Sequence, residues 1–107
     1  MNTTKAEIWN GYYHDYLIRA CARGIEPVAL LDEEWFDGKT TAHTCVLPHL
    51  NSESVVLEIA SGIGRVSRFV ASNCRKLVCT DILEEALCEA KSNLEQFDNI
   101  DFDVTNG

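Results

Sequence analysis

The sequence predicts an α/β fold: N-terminal helices followed by β-α-β-α-β, the first half of a doubly wound parallel sheet. Three observations carry that prediction. Short runs of apolar and β-branched residues at 55–59 and 76–80 are each followed by a helical pattern. A glycine pair, Gly62 and Gly64, sits between the first run and its helix. An alternating segment, Ile100-Asp101-Phe102-Asp103-Val104, reads as a third strand. Strand, helix, strand, helix, strand builds a parallel sheet with right-handed crossovers.

Each element has its own signal. From Lys5 to Cys21 the apolar residues Ile8, Trp9, Tyr12, Tyr13, Tyr16, Leu17 and Ala20 recur at helical spacing. Gly24 is the expected stop, and Pro27 opens a new segment. Residues 28–36 read as a short helix. The turn Asp37-Gly38 leads into another helix over 40–47, ended by Pro48. Val55 to Ile59 is apolar apart from Glu58, the pattern of a strand buried on both faces. Residues 65–73 follow the glycines as a helix, and Lys76 to Thr80 form a second strand closed by Asp81. The strongest helical pattern then aligns Leu83, Ala86, Leu87, Ala90, Leu94 and Phe97 on one face, with Glu84, Glu85, Lys91 and Glu95 outward. The chain thus divides into a helical cap over 1–52 and a partial sheet domain over 53–107.

Length and composition bound the function. The 107 residues make one small domain, with 46% apolar and 24% charged residues as in a soluble globular protein. A formal charge of −8 argues against a nucleic-acid surface, because phosphate binding needs clustered Lys and Arg. No apolar run approaches the roughly 18 residues of a membrane span. The start, MNTTKAEIW, lacks the apolar core of a secretion signal. A cytoplasmic protein without a membrane partner is expected. Cys21, Cys45, Cys74, Cys79 and Cys88 are odd in number and form no Cys-x-x-Cys pair, so they read as small buried side chains. His14, His43 and His49 are scattered, and no metal site is expected.

In a doubly wound sheet, ligands bind beyond the carboxyl ends of the strands. Gly62 and Gly64 sit there, where a missing side chain lets backbone N–H groups approach a ligand. Asp81 closes the next strand 19 residues after Gly62, so its carboxylate is expected across the same crevice. It is able to accept two hydrogen bonds from a ribose diol, and also to cap the helix that follows. That spacing serves two cofactor classes. A dinucleotide site wants G-x-G-x-x-G, but the third position counted from Gly62 is Ser67. Glu58 discriminates further: a carboxylate repels a pyrophosphate and matches a cationic methionyl amine and sulfonium.

These residues resemble the class I S-adenosylmethionine-dependent methyltransferases, whose first motif is an apolar strand, an acidic residue and a G-x-G-x-G loop. Here it stands as VVLEIASGIG, with Ala60 in place of the first glycine. Asp81 in VCTDI looks like the acidic residue that binds the ribose hydroxyls. Asp103 in NIDFDVTNG looks like the one that contacts the adenine amino group. The similarity spans roughly residues 53–105, and the helices before it resemble the family's variable N-terminal cap. The resemblance implies a Rossmann-like domain with S-adenosyl-L-methionine as cofactor. It implies a binding set of Glu58, Ala60, Ser61, Gly62, Gly64, Asp81, Ile82, Asp103 and Val104. Arg65 reads as a surface helix residue, and Trp9, Tyr12, Tyr13 and Tyr16 as core.

The resemblance also implies methyl transfer, to a small-molecule acceptor given the acidic charge. A sulfonium is activated by its own charge, so the protein supplies position and exclusion of water. Catalytic residues are not assigned, since the family keeps most of them after its fourth strand. The family's sheet has seven strands ordered 3-2-1-4-5-7-6, so three strands make an incomplete domain. Val55 to Ile59 would then be an apolar edge of the kind natural proteins avoid. A homo-oligomer, or a complementing chain over that strand, is expected. Two other functions stay open: a truncated methyltransferase-like module that binds without catalysis, and a nicotinamide-dinucleotide-binding half of an oxidoreductase.

Overall fold

The computed structural model describes residues 4–105, so the ends of the two expected segments, residues 1–3 and 106–107, lie outside the described residues. Helix α1 (Lys5–Arg23) opens on a capping box. The Glu7 N–H donates to Thr4 Oγ1 at 3.1 Å, and the Thr4 N–H donates to the Glu7 carboxylate at 3.0 Å. It ends at Gly24, whose left-handed φ of 67° turns its N–H back onto the carbonyls of Ala20 and Cys21. Helix α2 (Pro27–Glu34) starts on the proline, which needs no N–H partner there.

The single helix expected over 40–47 is instead three short pieces. Helix α3 (Gly38–Thr41) runs into a wider π turn over Ala42–Val46 and then a 3₁₀ turn over Leu47–His49. Pro48 lies inside that last turn rather than ending it, because a first turn tolerates a residue without an N–H.

Strands β1 (Val55–Ile59), β2 (Lys76–Asp81) and β3 (Ile100–Val104) form one parallel sheet in the order β1-β2-β3. Val56 stands opposite Leu77, and Leu77 opposite Ile100. The crossover from β1 holds only helix α4 (Ser67–Val70) and a 3₁₀ turn, Ala71–Asn73. The helix expected over 65–73 is shortened because Gly62 and Gly64, at φ 57° and 89°, keep the chain in turns before it. Helix α5 (Glu84–Asn93) returns to β3 and stops before the expected Phe97. Leu94 is nonetheless buried, and Phe97 packs on the core from beyond the helix.

Both crossovers advance the sheet in the same direction, so right-handed connection puts α4 and α5 on the same face. Under them Leu77 and Cys79 are completely buried, packed with Val70, Ala71 and Leu87. On the other face Val55, Leu57 and Ile59 are 58%, 62% and 71% exposed. The two-sided burial expected for this apolar run is therefore corrected to strict alternation. No described element covers the second face.

Other expectations are corrected in the same way. Tyr13 and Ala20 of α1 are buried, and Tyr16 and Leu17 pack beside Ile63 and Ala86, but Ile8, Trp9 and Tyr12 face solvent. The aromatic set is core on one side only. Cys74 and Cys79 are buried as expected, whereas Cys21, Cys45 and Cys88 are exposed, and all five are free thiols. No described helix is long and apolar enough to cross a membrane. No group of three or more His, Cys, Asp or Glu among the described residues is placed to hold a metal ion.

Candidate functional site

The carboxyl ends of the three strands gather the candidate residues. Leaving β1, the chain turns sharply at Ala60, whose φ of 59° is left-handed. An alanine there is strained where glycine is at ease. Ser61 then ties the loop to β2, its N–H and Oγ–H both donating to the Thr80 carbonyl at 2.9 and 3.2 Å. The Gly64 N–H donates to the Ser61 carbonyl at 3.2 Å, closing a tight turn. A Cβ at Gly62 would meet nothing within 4 Å, so the loop has open space over it. A Cβ at Gly64 would stand 2.9 Å from Leu94 Cδ1. The two glycines thus serve different ends: Gly62 leaves room above the loop, and Gly64 lets α5 approach it.

Asp81 joins this loop to the next element. Its Oδ2 accepts from the Gly62 N–H at 2.8 Å and its Oδ1 from the Leu83 N–H at 2.9 Å. Two backbone donors fix the carboxylate's plane, leaving lone pairs on each oxygen. The N-cap of α5 is Leu83 and no side chain caps the helix, so the capping role expected for Asp81 is corrected: its carboxylate ties the glycine loop to the approach to α5. Ile82 follows directly, and Val104 stands in register with Asp81 on the same face of the sheet. Asp103 is in register with Thr80, so the pleat turns its exposed carboxylate to the opposite face.

Glu58 lies beneath the loop rather than over it. It shares the helix-covered face with Cys79, and the Ser67 Oγ–H donates to its Oε1 at 2.6 Å. Burial holds its carboxyl above the ordinary value; the Ser67 hydrogen bond and the nearby Arg65 pull it partly back. Cys79 Sγ completes the contact, 3.6 Å from Ser67 Oγ. Thr80 anchors the same strand end through its Oγ1–H, which donates to the Glu58 carbonyl at 2.9 Å. Sequence reasoning met Ser67 only as the place where a third glycine is missing. A hydroxyl nine residues after Glu58, at the first position of the following helix, was the available signal.

The cap closes one side of this region. Ile63, in the middle of the loop, is buried against Tyr13 and Ala86. The Tyr13 hydroxyl donates weakly to the Glu85 carbonyl at 3.4 Å and to the Glu89 carboxylate at 3.5 Å. Burial, with Glu89 and Glu85 adding to it, pushes that phenol up to about 12. Asp32 of α2 holds the other side, accepting from Arg68 at 2.5 Å and from the Gly38 N–H at 3.0 Å. Arg65, 3.7 Å from Asp32, donates to the Phe36 carbonyl, so it is tied to the cap. A cavity of about 450 Å³ lies among the helices beside Gly64, lined by Glu26, Val28, Asp32, Arg68 and Asn93.

No protein-family model matches the sequence, and no curated protein matches it. Solved structures do. Phosphoethanolamine N-methyltransferase 1 of Haemonchus contortus, in complex with phosphoethanolamine and S-adenosylhomocysteine, superposes with a TM-score of 0.59 at 18% identity, over 66% of this chain and 15% of that one. The N-methyltransferase NodS of Bradyrhizobium japonicum gives 0.57 at 21% identity, over 63% and 37%. An rRNA methylase of Streptococcus thermophilus gives 0.54 at 25% identity, over 59% and 39%. The fold is methyltransferase-like, the N-terminal part of the Rossmann-like domain. The chain spans less than two fifths of the length of each of these three proteins.

Proposed function

We propose that the crevice binds S-adenosyl-L-methionine and that the protein is a methyltransferase acting on a small molecule. The observation that carries this reading is the clamp on Asp81, held by the Gly62 and Leu83 N–H groups beside a left-handed loop with open space at Gly62. A carboxylate so fixed keeps lone pairs for two vicinal hydroxyls without reorganising, which fits a ribose. The space over Gly62 suits close backbone approach, and Ile82 and Val104 offer apolar surface beside it. Glu58 contributes negative charge under the loop through a carboxylate held by Ser67, in keeping with a cationic rather than a pyrophosphate-bearing ligand.

When bound, the cofactor supplies an electrophilic methyl group on a sulfonium. The residues of this chain that would hold and orient it are Asp81, for the ribose, and the 60–64 turn, whereas Asp103, on the opposite face of the sheet, is left out of the set. The cap limits access of water on the α1 side, where Tyr13 covers Ile63. The charge of −8 favours a neutral or cationic small acceptor over RNA, whose phosphates this surface repels.

Calorimetric titration with S-adenosylhomocysteine and with NADH tests the reading. Micromolar binding of the first is expected, with Asp81→Ala weakening it at least tenfold, about 1.4 kcal/mol. Binding of NADH in preference would assign the crevice to a dinucleotide instead.

A further inference from the structure

Ser67 stands where a dinucleotide loop would carry its third glycine, and its hydroxyl makes a contact that a glycine cannot. Register sets Glu58 opposite Cys79 on neighbouring strands, with both side chains on the helix-covered face. Ser67, the first residue of α4, lies across that pair and is completely buried. The Cys79 thiol donates to Ser67 Oγ at 3.6 Å, and the Ser67 Oγ–H donates to Glu58 Oε1 at 2.6 Å. Burial, more than any other influence, pushes the thiol up to about 11, so at neutral pH it keeps the proton it donates. A hydroxyl has a single proton, and here that proton is committed to Glu58. The hydrogen bonds therefore run in one direction, from β2 through α4 to β1.

We propose that Ser67 is a positioning residue for the crevice: turned by the Cys79 thiol, it holds the Glu58 carboxylate as a fixed anion beneath the glycine loop and so favours a ligand with a cationic amine. This rests on the reading of the crevice as an S-adenosyl-L-methionine site. Burial raises the Glu58 carboxyl, and the Ser67 hydrogen bond and Arg65 pull it back. Arg65, from the turn before α4, and the Cys79 thiol of β2 are the charged and titratable groups that act on this side chain. Arg65 is already tied to the Phe36 carbonyl and lies 3.7 Å from Asp32, so the Ser67 hydroxyl is the donor dedicated to Glu58. A protonated Glu58 offers no charge to a ligand amine. Affinity is therefore full above the folded value of this carboxyl and falls as pH drops through it. Removing the hydroxyl raises that value, so Ser67 sets the acid limit of binding.

Calorimetric titration from about pH 4.5 to about pH 8 tests this, with S-adenosylhomocysteine and with 5′-methylthioadenosine, which keeps the adenine and ribose but has no amino-acid end. Wild-type affinity for S-adenosylhomocysteine is expected to fall on the acid side. Ser67→Ala moves that fall upward by about one pH unit, and Glu58→Gln removes it. Cys79→Ala moves it in the same direction by less, while Cys79→Ser, which keeps a donor, leaves it in place. Affinity for methylthioadenosine stays level with pH in every variant. If circular dichroism shows Ser67→Ala unfolded, the two Cys79 variants decide the matter by the same readout. An acid limb that is absent from wild type, stays in place when the donor is removed, or moves equally for methylthioadenosine overturns the proposal and leaves the cofactor reading intact. A wild-type chain that binds no S-adenosylhomocysteine at any pH overturns the cofactor reading, and this proposal with it.

Discussion

Leu57 and Leu77 sit on neighbouring strands of one sheet, in runs of similar apolar character, and meet opposite fates. Leu77 is completely buried under α4 and α5, while Leu57 is 62% exposed on the other face. The same division separates Val56 from Val55 and Glu58 from Ile59. Handedness makes it: two right-handed crossovers that step across the sheet in one direction must both pack on the same side. Burial is thus a property of the connections rather than of the strand's own sequence. The covered face also holds the site's internal support, the Glu58–Ser67–Cys79 contact. The bare face holds the exposed side chains of Val55, Leu57 and Ile59.

The sharpest way to break this comparison is to shorten the two leucines. Leu77→Ala is expected to destabilise by about 3 kcal/mol, since transfer and cavity terms add in a closed core. Equal losses at both leucines, in urea unfolding of dilute protein, would mean that the second face is covered after all. Ser67→Ala is the next largest effect, about 2 kcal/mol at neutral pH, because it leaves the Glu58 carboxyl buried without its donor.

Glu58 gives that face a pH signature. Burial raises its folded value above the ordinary 4.5. The folded chain then binds the proton more tightly than the unfolded one. The stability it contributes is fully present below about pH 4.5 and is lost as pH rises through the folded value. Glu58→Gln removes this slope, so unfolding midpoints of the variant should gain on the wild type from pH 4.5 toward neutrality. An identical pH dependence in the two proteins would show that the carboxyl is solvated.

Smaller effects sharpen the picture. Ala60→Gly should stabilise by about 1 kcal/mol by relieving the left-handed alanine, measured as a rise in thermal midpoint. Affinity for S-adenosylhomocysteine should stay equal or improve, and a large loss would mean that the loop register is misread. Leu57→Ala should change monomer stability by less than about 0.5 kcal/mol, the mark of an exposed site.

Much of this was legible in the sequence because the signals are local. The third strand, the stop at Gly24 and the start of α2 at Pro27 follow from backbone chemistry over a few residues. The left-handed conformation at Gly62 and Gly64 belongs to the same class of signal. So does the position of Asp81 one turn ahead of α5. Less legible were the helices around 40–49 and 65–73, where a uniform periodicity hid π and 3₁₀ segments set by packing. Ser67 was visible as a residue but not as a partner, since its meaning depends on Glu58 reaching it through the fold.

By itself, then, the sequence determined the order of strands and helices, the turn chemistry of the 60–64 loop and the acidic residues that flank it. Those features depend on φ preferences, apolar period and side-chain reach, all local quantities. Only the tertiary structure decided which face of β1 is covered, that Glu58 lies under the loop, and that Ser67 meets it there. Those outcomes depend on the hand of the crossovers and on contacts between residues far apart in the chain, where no local preference reaches.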